Sequence, residues 1–177
     1  MGQGVGDCTR IFGTTTGLLE KYGSKRIIDM PIMEEGMTGI AIGMALNGIY
    51  PIQTHIRVDF LLLAVNQLIN MAAKYRYMYG GSFEIPLLIR AIIGRSWGQG
   101  AQHSQSFHSY FMHTPGIRVV APTTPHDAKG CMIASIEDNN PVIFFEHRWL
   151  HVMKGNVPKN YYKLPIGKAS VLKKGKD

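Results

Sequence analysis

The sequence predicts an α/β fold, a mostly parallel sheet with helices on both faces. Strand-like and helix-like patterns alternate along the chain, which implies a parallel sheet covered on both sides. Residues 85–93 form a nearly continuous apolar run interrupted by Pro86 and Arg90, as in a strand buried on both faces. A chain of 177 residues, 45% hydrophobic and 18% charged, has the length of one domain and enough apolar mass to bury a core.

Residues 1–17 are rich in Gly and Thr and read as a loop. Gly2, Gly4 and Gly6 do not make a dinucleotide fingerprint there, because no strand precedes them. Residues 18–22 read as a short helix closed by Gly23. A first strand is expected over 26–32, running straight into a helix over 34–46 that Asn47-Gly48 ends. A second strand spans 50–58. Asp59 reads as the N-cap of a helix over 60–79, apolar nearly all round in its first half and stopped by Gly80-Gly81. After the strand at 85–93 come a loop at 94–100, a short helix at 105–113, a strand at 117–121, a turn at 122–125, a helix at 127–138 and a strand at 142–146. Residues 1–153 are expected to form the domain. Residues 154–177, with Pro158, Pro165 and several Lys, read as a linker.

The stretch around the first strand-to-helix junction organises the rest. Pro31 fixes the turn without breaking the helix. Glu34 and Glu35 open the helix, where acids suit the positive end of its dipole. Gly36, Gly39 and Gly43 then recur along it. Each costs about 1 kcal/mol against Ala, so the run predicts that another backbone or a ligand comes close. In an α/β sheet ligands bind at the carboxyl ends of the strands. Glu34, Phe60 and the 94–100 loop are all expected at that end.

The net charge of +7 is spread along the chain, apart from Lys173, Lys174 and Lys176, with no basic stripe interleaved with aromatics. Nucleic acid binding is therefore not expected. Cys8 and Cys131 have no CxxC spacing and read as free thiols of a reducing compartment. No apolar run reaches membrane-spanning length and no signal sequence stands at the N-terminus. Those features point to a cytoplasmic protein.

Four stretches carry a family resemblance: Asp29-Met30-Pro31-Ile32-Met33-Glu34-Glu35-Gly36 with Thr38-Gly39, Gln102-His103-Ser104-Gln105, Asp127-Ala128-Lys129-Gly130, and Asp138-Asn139-Asn140-Pro141. In order and in register, they resemble the pyrimidine-binding domain of thiamine diphosphate enzymes. The likeness is to the beta subunit of the first component of the 2-oxoacid dehydrogenases, of the pyruvate and branched-chain type.

The resemblance implies roles. Glu34 would hydrogen-bond a ring nitrogen of the cofactor's aminopyrimidine and favour the imino tautomer, whose nitrogen takes the proton from the thiazolium carbon. That carboxyl should be shielded from water, whereas Glu35 faces elsewhere. Phe60 would lay its ring against the aminopyrimidine, with Ile56 beside it. His103 would contact the substrate or intermediate. From the residues themselves, Arg57 at the strand end could meet an anionic group but is expected in an ordinary salt bridge, and His108 and His113, five apart with no metal-ligand pattern, are expected in structural roles. Asp138 and Asn140 match a loop that holds a monovalent cation in relatives, with K+ as the candidate ion.

The resemblance also implies partners. The Gly-Asp-Gly…Asn motif for diphosphate and Mg2+ is absent from the sequence, so an alpha-type subunit would hold that end. The implied reaction is oxidative decarboxylation of a 2-oxoacid, with acyl transfer to a lipoyl acyltransferase core, in a homo- or hetero-oligomer. The family's beta subunit starts further upstream and continues into a second domain, so 154–177 would lead toward a C-terminal domain absent from this chain. Leu63 stands where relatives often have a polar residue. The alternatives are a transketolase-like or deoxyxylulose-phosphate-synthase-like module, or a non-catalytic truncated fragment.

Overall fold

The structure is a computed structural model that describes residues 1–177 except Cys8, Arg10, Ser96, Ala169, Ser170, Leu172, Lys176 and Asp177. The expectations placed on Cys8 and Lys176 lie outside the described residues.

A parallel sheet of four strands stands at the centre, in the order β1-β2-β4-β3. They are β1 (Ile52–His55), β2 (Leu87–Ile93), β3 (Arg118–Val120) and β4 (Pro141–His147). The strand β2 is central because its sequence allows burial on both faces. Leu87, Ile89, Ala91 and Ile93 pack to one side with the helix α2 (Glu34–Leu46) and the segment after β1. Leu88 packs to the other side with Phe144, Met132 and Ile136, the last two from α6 (Pro125–Ile136). Alternate residues of a strand face opposite ways, and each fully buried Leu or Ile here contributes about 2 kcal/mol. The expected fold, with helices on both faces, is the observed one.

Arg90 breaks the apolar run of β2 and is matched across the sheet. Its Nε and Nη2 donate to the two carboxylate oxygens of Glu146 at 2.5 and 2.8 Å, and Nη2 also donates to Thr14. A two-pronged pair of this kind satisfies both buried charges.

Several boundaries differ from the sequence expectation. The short helix α1 (Leu18–Tyr22) and α2 fall where expected. Residues 26–32 form no regular strand. Among the described residues only Gly2 pairs with them, through an isolated bridge to Asp29, and Gly2 also bridges Thr54 of β1. Pro31 has no N–H to extend the ladder. So Gly2 belongs to a sheet margin rather than a free loop, and a Cβ there would sit 2.5 Å from the carbonyl oxygen of Thr54.

The expected single helix over 60–79 is a series of turns: α3 (Val58–Leu61), a 3-10 turn (Leu62–Ala64), a π turn (Gln67–Ala72) and α4 (Tyr75–Met78). Apolar periodicity fixes the face of a helix but does not register one extra residue in a turn. The wide turn begins at Gln67, whose Nε2 donates to Glu35. Asp59 is not an N-cap. Arg57 holds that position, and Asp59 lies inside the first turn of α3.

The helix α5 (His108–Met112) is shorter than expected. By contrast α6 starts two residues early, because Thr124 caps it by accepting from the Asp127 N–H at 3.1 Å and Pro125 fills its first turn. Residues 158–164 lie along α6. Lys129 donates to the carbonyls of Pro158 and Asn160, Tyr162 to that of His126, and the Leu164 N–H to that of Gly130.

Candidate functional site

A cavity of about 500 Å³ opens beyond the carboxyl end of β1, lined by Glu34, His55, Ile56, Arg57, Phe60 and His103 together with Gln3, Ile32 and Leu63. All four residues expected to handle a cofactor or substrate, Glu34, Ile56, Phe60 and His103, therefore meet in one place.

Each arrives there for a local reason. Glu34 is the first residue of α2, where the unpaired N–H groups favour an anion. It is buried, 7% exposed. One carboxylate oxygen accepts from Gln3 Nε2 at 3.1 Å. Its neighbour Glu35 is exposed and turns to Gln67 at 3.0 Å, away from the cavity. One helical position separates a shielded carboxylate from a solvated one. Phe60 sits in α3, just after β1 delivers the chain to this edge. The His103 ring meets it edge-on, with centroids 5.2 Å apart and planes at 75°.

His103 lies on a short 3-10 turn (Ala101–His103) in the loop after β2. Two buried charged side chains hold that loop. Arg148, 5% exposed, donates to Gln99 Oε1 at 2.5 Å and to the backbone oxygen of His103 at 3.1 Å. Asp59 accepts from the Gln105 N–H at 3.3 Å and from its amide at 2.8 Å. Phe12 lies near two guanidiniums, Arg57 and Arg148, each 5.8 Å from its ring centre.

Arg57 departs from the expected salt bridge. Among the described residues it has no ion pair, and its Nη1 donates to its own neighbour's carbonyl, that of Ile56, at 2.9 Å. Burial pulls its pKa down, and the nearby Asp59 pushes it back up. His108 packs its ring on Phe145, a structural role as expected.

The recurrent glycines of α2 do not all mark a close approach within this chain. Gly36 sits under the Met33 side chain, while a Cβ on Gly39 or Gly43 would meet nothing within 4 Å. That strip of the helix is open.

Asp138 and Asn140 are at the opposite end of the sheet, in the loop that enters β4. Asp138 Oδ1 accepts from the N–H and the amide of Asn140 at 3.1 and 2.6 Å, and Oδ2 pairs with Arg118 at 2.9 Å. Asn140 Oδ1 accepts from Arg76 at 3.2 Å. The side-chain oxygens are thus already engaged, and a cation here would have to rest on backbone carbonyls. No group of three His, Cys, Asp or Glu able to hold a metal occurs among the described residues. None of their helices is long and apolar enough to cross a membrane.

The sequence reading missed His55, Gln53, Thr38, Asp59 and Arg148 as parts of the site. A signal for two of them exists. Gln53 and His55 are two residues apart on one face of β1, and both are buried, at 0% and 2% exposure. Polar side chains on the buried face of a strand need partners.

Residues 5–152 match the family model for the pyrimidine-binding domain of transketolase. The chain is 42% identical to the acetoin:2,6-dichlorophenolindophenol oxidoreductase subunit beta of Bacillus subtilis, over 94% of this chain and 49% of that protein. It is 44% identical to the pyruvate dehydrogenase E1 component subunit beta of Porphyra purpurea, over 100% of this chain and 54% of that one. It is 42% identical to the 2-oxoisovalerate dehydrogenase subunit beta of Bacillus subtilis, again over 100% and 54%. Among solved structures it resembles a split gene transketolase, described as an inactive beta4 tetramer, with a TM-score of 0.73 at 22% identity, covering 100% of this chain and 53% of that one. The chain therefore spans about half the length of the curated relatives it matches. It belongs to the transketolase pyrimidine-binding domain family.

Proposed function

We propose that this member of the transketolase pyrimidine-binding family supplies the pyrimidine half of a thiamine diphosphate site in a 2-oxoacid dehydrogenase of the beta-subunit type. The observation that carries the reading is the shielded carboxylate of Glu34 at a helix start, inside a cavity whose other walls include Phe60 and His103. The residues present fit the ring end of the cofactor: an anion for a protonated ring nitrogen, an aromatic face and an apolar wall.

When bound, thiamine diphosphate supplies a nucleophilic carbon and an electron sink. The chain's own residues do the rest. Glu34 holds a proton at a ring nitrogen, in a position kept from water. Phe60 and Ile56 fix the plane of the ring. His103, on its tethered loop, stands where it can exchange a proton with a substrate oxygen. An alpha-type partner would hold the diphosphate and Mg2+, and a lipoyl acyltransferase would take the acyl group. Residues 154–177 would continue toward a C-terminal domain.

The 42–44% identity to beta subunits of pyruvate, oxoisovalerate and acetoin enzymes supports this reading. A sugar-phosphate substrate would call for several cations, and among the described residues Arg57 alone carries a fixed positive charge in the cavity wall. A monovalent cation near Asp138 and Asn140 would act on the loop through backbone carbonyls. It is tested by whether potassium raises the Tm above its value in sodium.

The test of the function is reconstitution with the alpha-type chain and titration of thiamine diphosphate and Mg2+ by calorimetry. Pyruvate, 2-oxoisovalerate and acetoin would then be assayed as substrates. Binding by the pair and not by either chain alone is expected. A pair that fails to bind removes the proposed site.

A further inference from the structure

The strand β1 carries a polar relay that ends in the cavity and that the reading above does not use. Thr38 Oγ1 donates to the backbone oxygen of Glu34 at 2.8 Å. Gln53 Nε2 lies 2.8 Å from Thr38 Oγ1 and 2.8 Å from His55 Nε2. Gln53 and Thr38 are both fully buried.

These contacts fix where each proton sits. Thr38 has one hydroxyl proton, and it goes to Glu34. Toward Gln53 the hydroxyl can therefore only accept, so the Gln53 amide must present its NH2 there. Turning the amide over would set its oxygen against the Thr38 lone pairs as long as the Thr38–Glu34 bond is kept, and the observed orientation leaves Gln53 Oε1 enclosed without a partner among the described residues. The NH2 has two hydrogens. One meets Thr38 and the other meets His55 Nε2. The imidazole Nε2 must then be the acceptor, which places the imidazole proton on Nδ1. Burial also pulls the pKa of His55 down to about 4, which keeps the ring neutral.

The Nδ1–H makes no hydrogen bond among the described residues. Nor is it one of the fully enclosed side-chain atoms that lack a partner. His55 itself lines the cavity with Glu34, Arg57, Phe60 and His103. An Nδ1–H with no partner in the chain, on a ring that lines the cavity, is a donor open to an acceptor that enters it.

We propose that His55 is a ligand contact of this site, a neutral imidazole whose Nδ1–H donates to a lone pair of the heteroaromatic ring that enters the cavity. This rests on the reading of the cavity as a pyrimidine site and adds a residue to it. It assigns Gln53 and Thr38 a joint role as the device that selects the tautomer. The same relay ties His55 to the first turn of α2, so the proposed donor and the Glu34 acceptor are set by one hydrogen-bonded chain.

Two measurements test it. In the full chain with 15N-labelled histidine, long-range proton–nitrogen spectra at pH 7 should show His55 as the Nδ1–H tautomer, and Gln53→Leu should release it to a mixture. An Nε2–H tautomer or a protonated ring at pH 7 overturns the proposal. In the reconstituted complex, His55→Leu keeps the apolar fill and removes the donor. Thiamine diphosphate should then bind about 10-fold more weakly by calorimetry, equivalent to about 1.4 kcal/mol. Unchanged affinity in His55→Leu, with the unsubstituted complex binding normally, overturns the role of His55 alone. Failure of the unsubstituted complex to bind overturns the pyrimidine reading and this proposal with it.

Discussion

The two ends of the sheet use similar side chains in opposite ways. At the amino end, Asp138 and Asn140 bond to each other and to Arg118 and Arg76, and their side-chain oxygens accept from N–H groups of the chain itself. At the carboxyl end, Arg57 Nε, Asp59 Oδ2 and Arg148 Nε are enclosed without a partner. Phe60 and Leu63 keep apolar surface in the open there. Buried polar atoms are normally satisfied, so these unmet atoms beside the cavity mark the end where the chain has left its own hydrogen bonding incomplete. The comparison teaches that side-chain type alone does not locate a site. What separates the two ends is whether the chain has completed its own hydrogen bonding.

The largest expected effect probes the carboxyl end directly. Glu34→Gln keeps the shape and removes the anion. In the reconstituted enzyme it should lower kcat/KM by on the order of 10²- to 10⁴-fold, the range of a lost proton-transfer group. Glu35→Gln, one position along the helix, should change it less than about 2-fold, because an exposed carboxylate contributes little. Equal losses in the two variants would erase the contrast between shielded and solvated carboxylates.

Arg148 gives the next effect. It anchors the His103 carbonyl from across the sheet edge. Arg148→Met should free the loop and lower kcat by up to about 10²-fold, as small misplacements of a reacting group do. Thiamine diphosphate affinity should stay within a few-fold, since Glu34 and Phe60 are untouched. Arg148→Lys keeps one donor and should recover part of the loss. A fall in cofactor affinity that matches the fall in kcat would show that Arg148 supports the whole cavity rather than the loop.

Much of this site was legible in the sequence, and the reasons differ by residue. Glu34 could be placed because Pro31 and the end of the helix at Asn47-Gly48 bound α2 closely. Phe60, Ile56 and His103 followed from the family likeness in register. Arg148 was not legible, because its partners Gln99 and His103 are 45 to 49 residues away and nothing local reports a contact of that range. Residues 26–32 misled for a related reason. Their pattern suits a strand, but a strand exists only where a partner pairs along its length, and among the described residues only Gly2 pairs with them. The widened turn at Gln67–Ala72 in the helical run from Val58 was hidden because apolar residues cover nearly every face there. One added residue in the turn then leaves the pattern unchanged.

Arg90 and Glu146 separate location from completeness. Arg90 lies at the middle of β2 and Glu146 near the carboxyl end of β4, yet the chain satisfies them as fully as it does Asp138. Burial pushes the Glu146 carboxyl up, but the His151 ring 3.3 Å away and the two hydrogen bonds from Arg90 outweigh it and bring the pKa from 4.5 down to about 2. A carboxyl depressed in the folded state stabilises the fold above its unfolded pKa and loses that contribution as pH falls through the folded one. Glu146→Gln should cost about 2 kcal/mol at pH 7. The difference from the unsubstituted chain should shrink between about pH 4.5 and pH 2. Urea midpoints measured across that window would show it, and a difference that grows on acidification would reverse the assignment.

The smallest effect belongs to the amino end. Arg118 is nearly half exposed, which screens its pair with Asp138. What Asp138 mainly provides is the acceptor for two donors of Asn140, which shapes the turn into β4. Asp138→Ala should therefore lower stability by about 1 kcal/mol, read as a shift in the urea midpoint with an unchanged slope. It should leave thiamine diphosphate affinity and kcat in the reconstituted enzyme as they were, because the sheet lies between this loop and the cavity. Loss of cofactor binding in Asp138→Ala at full stability would mean that the two ends are coupled. The self-contained loop would then have to be counted as part of the site it was contrasted with.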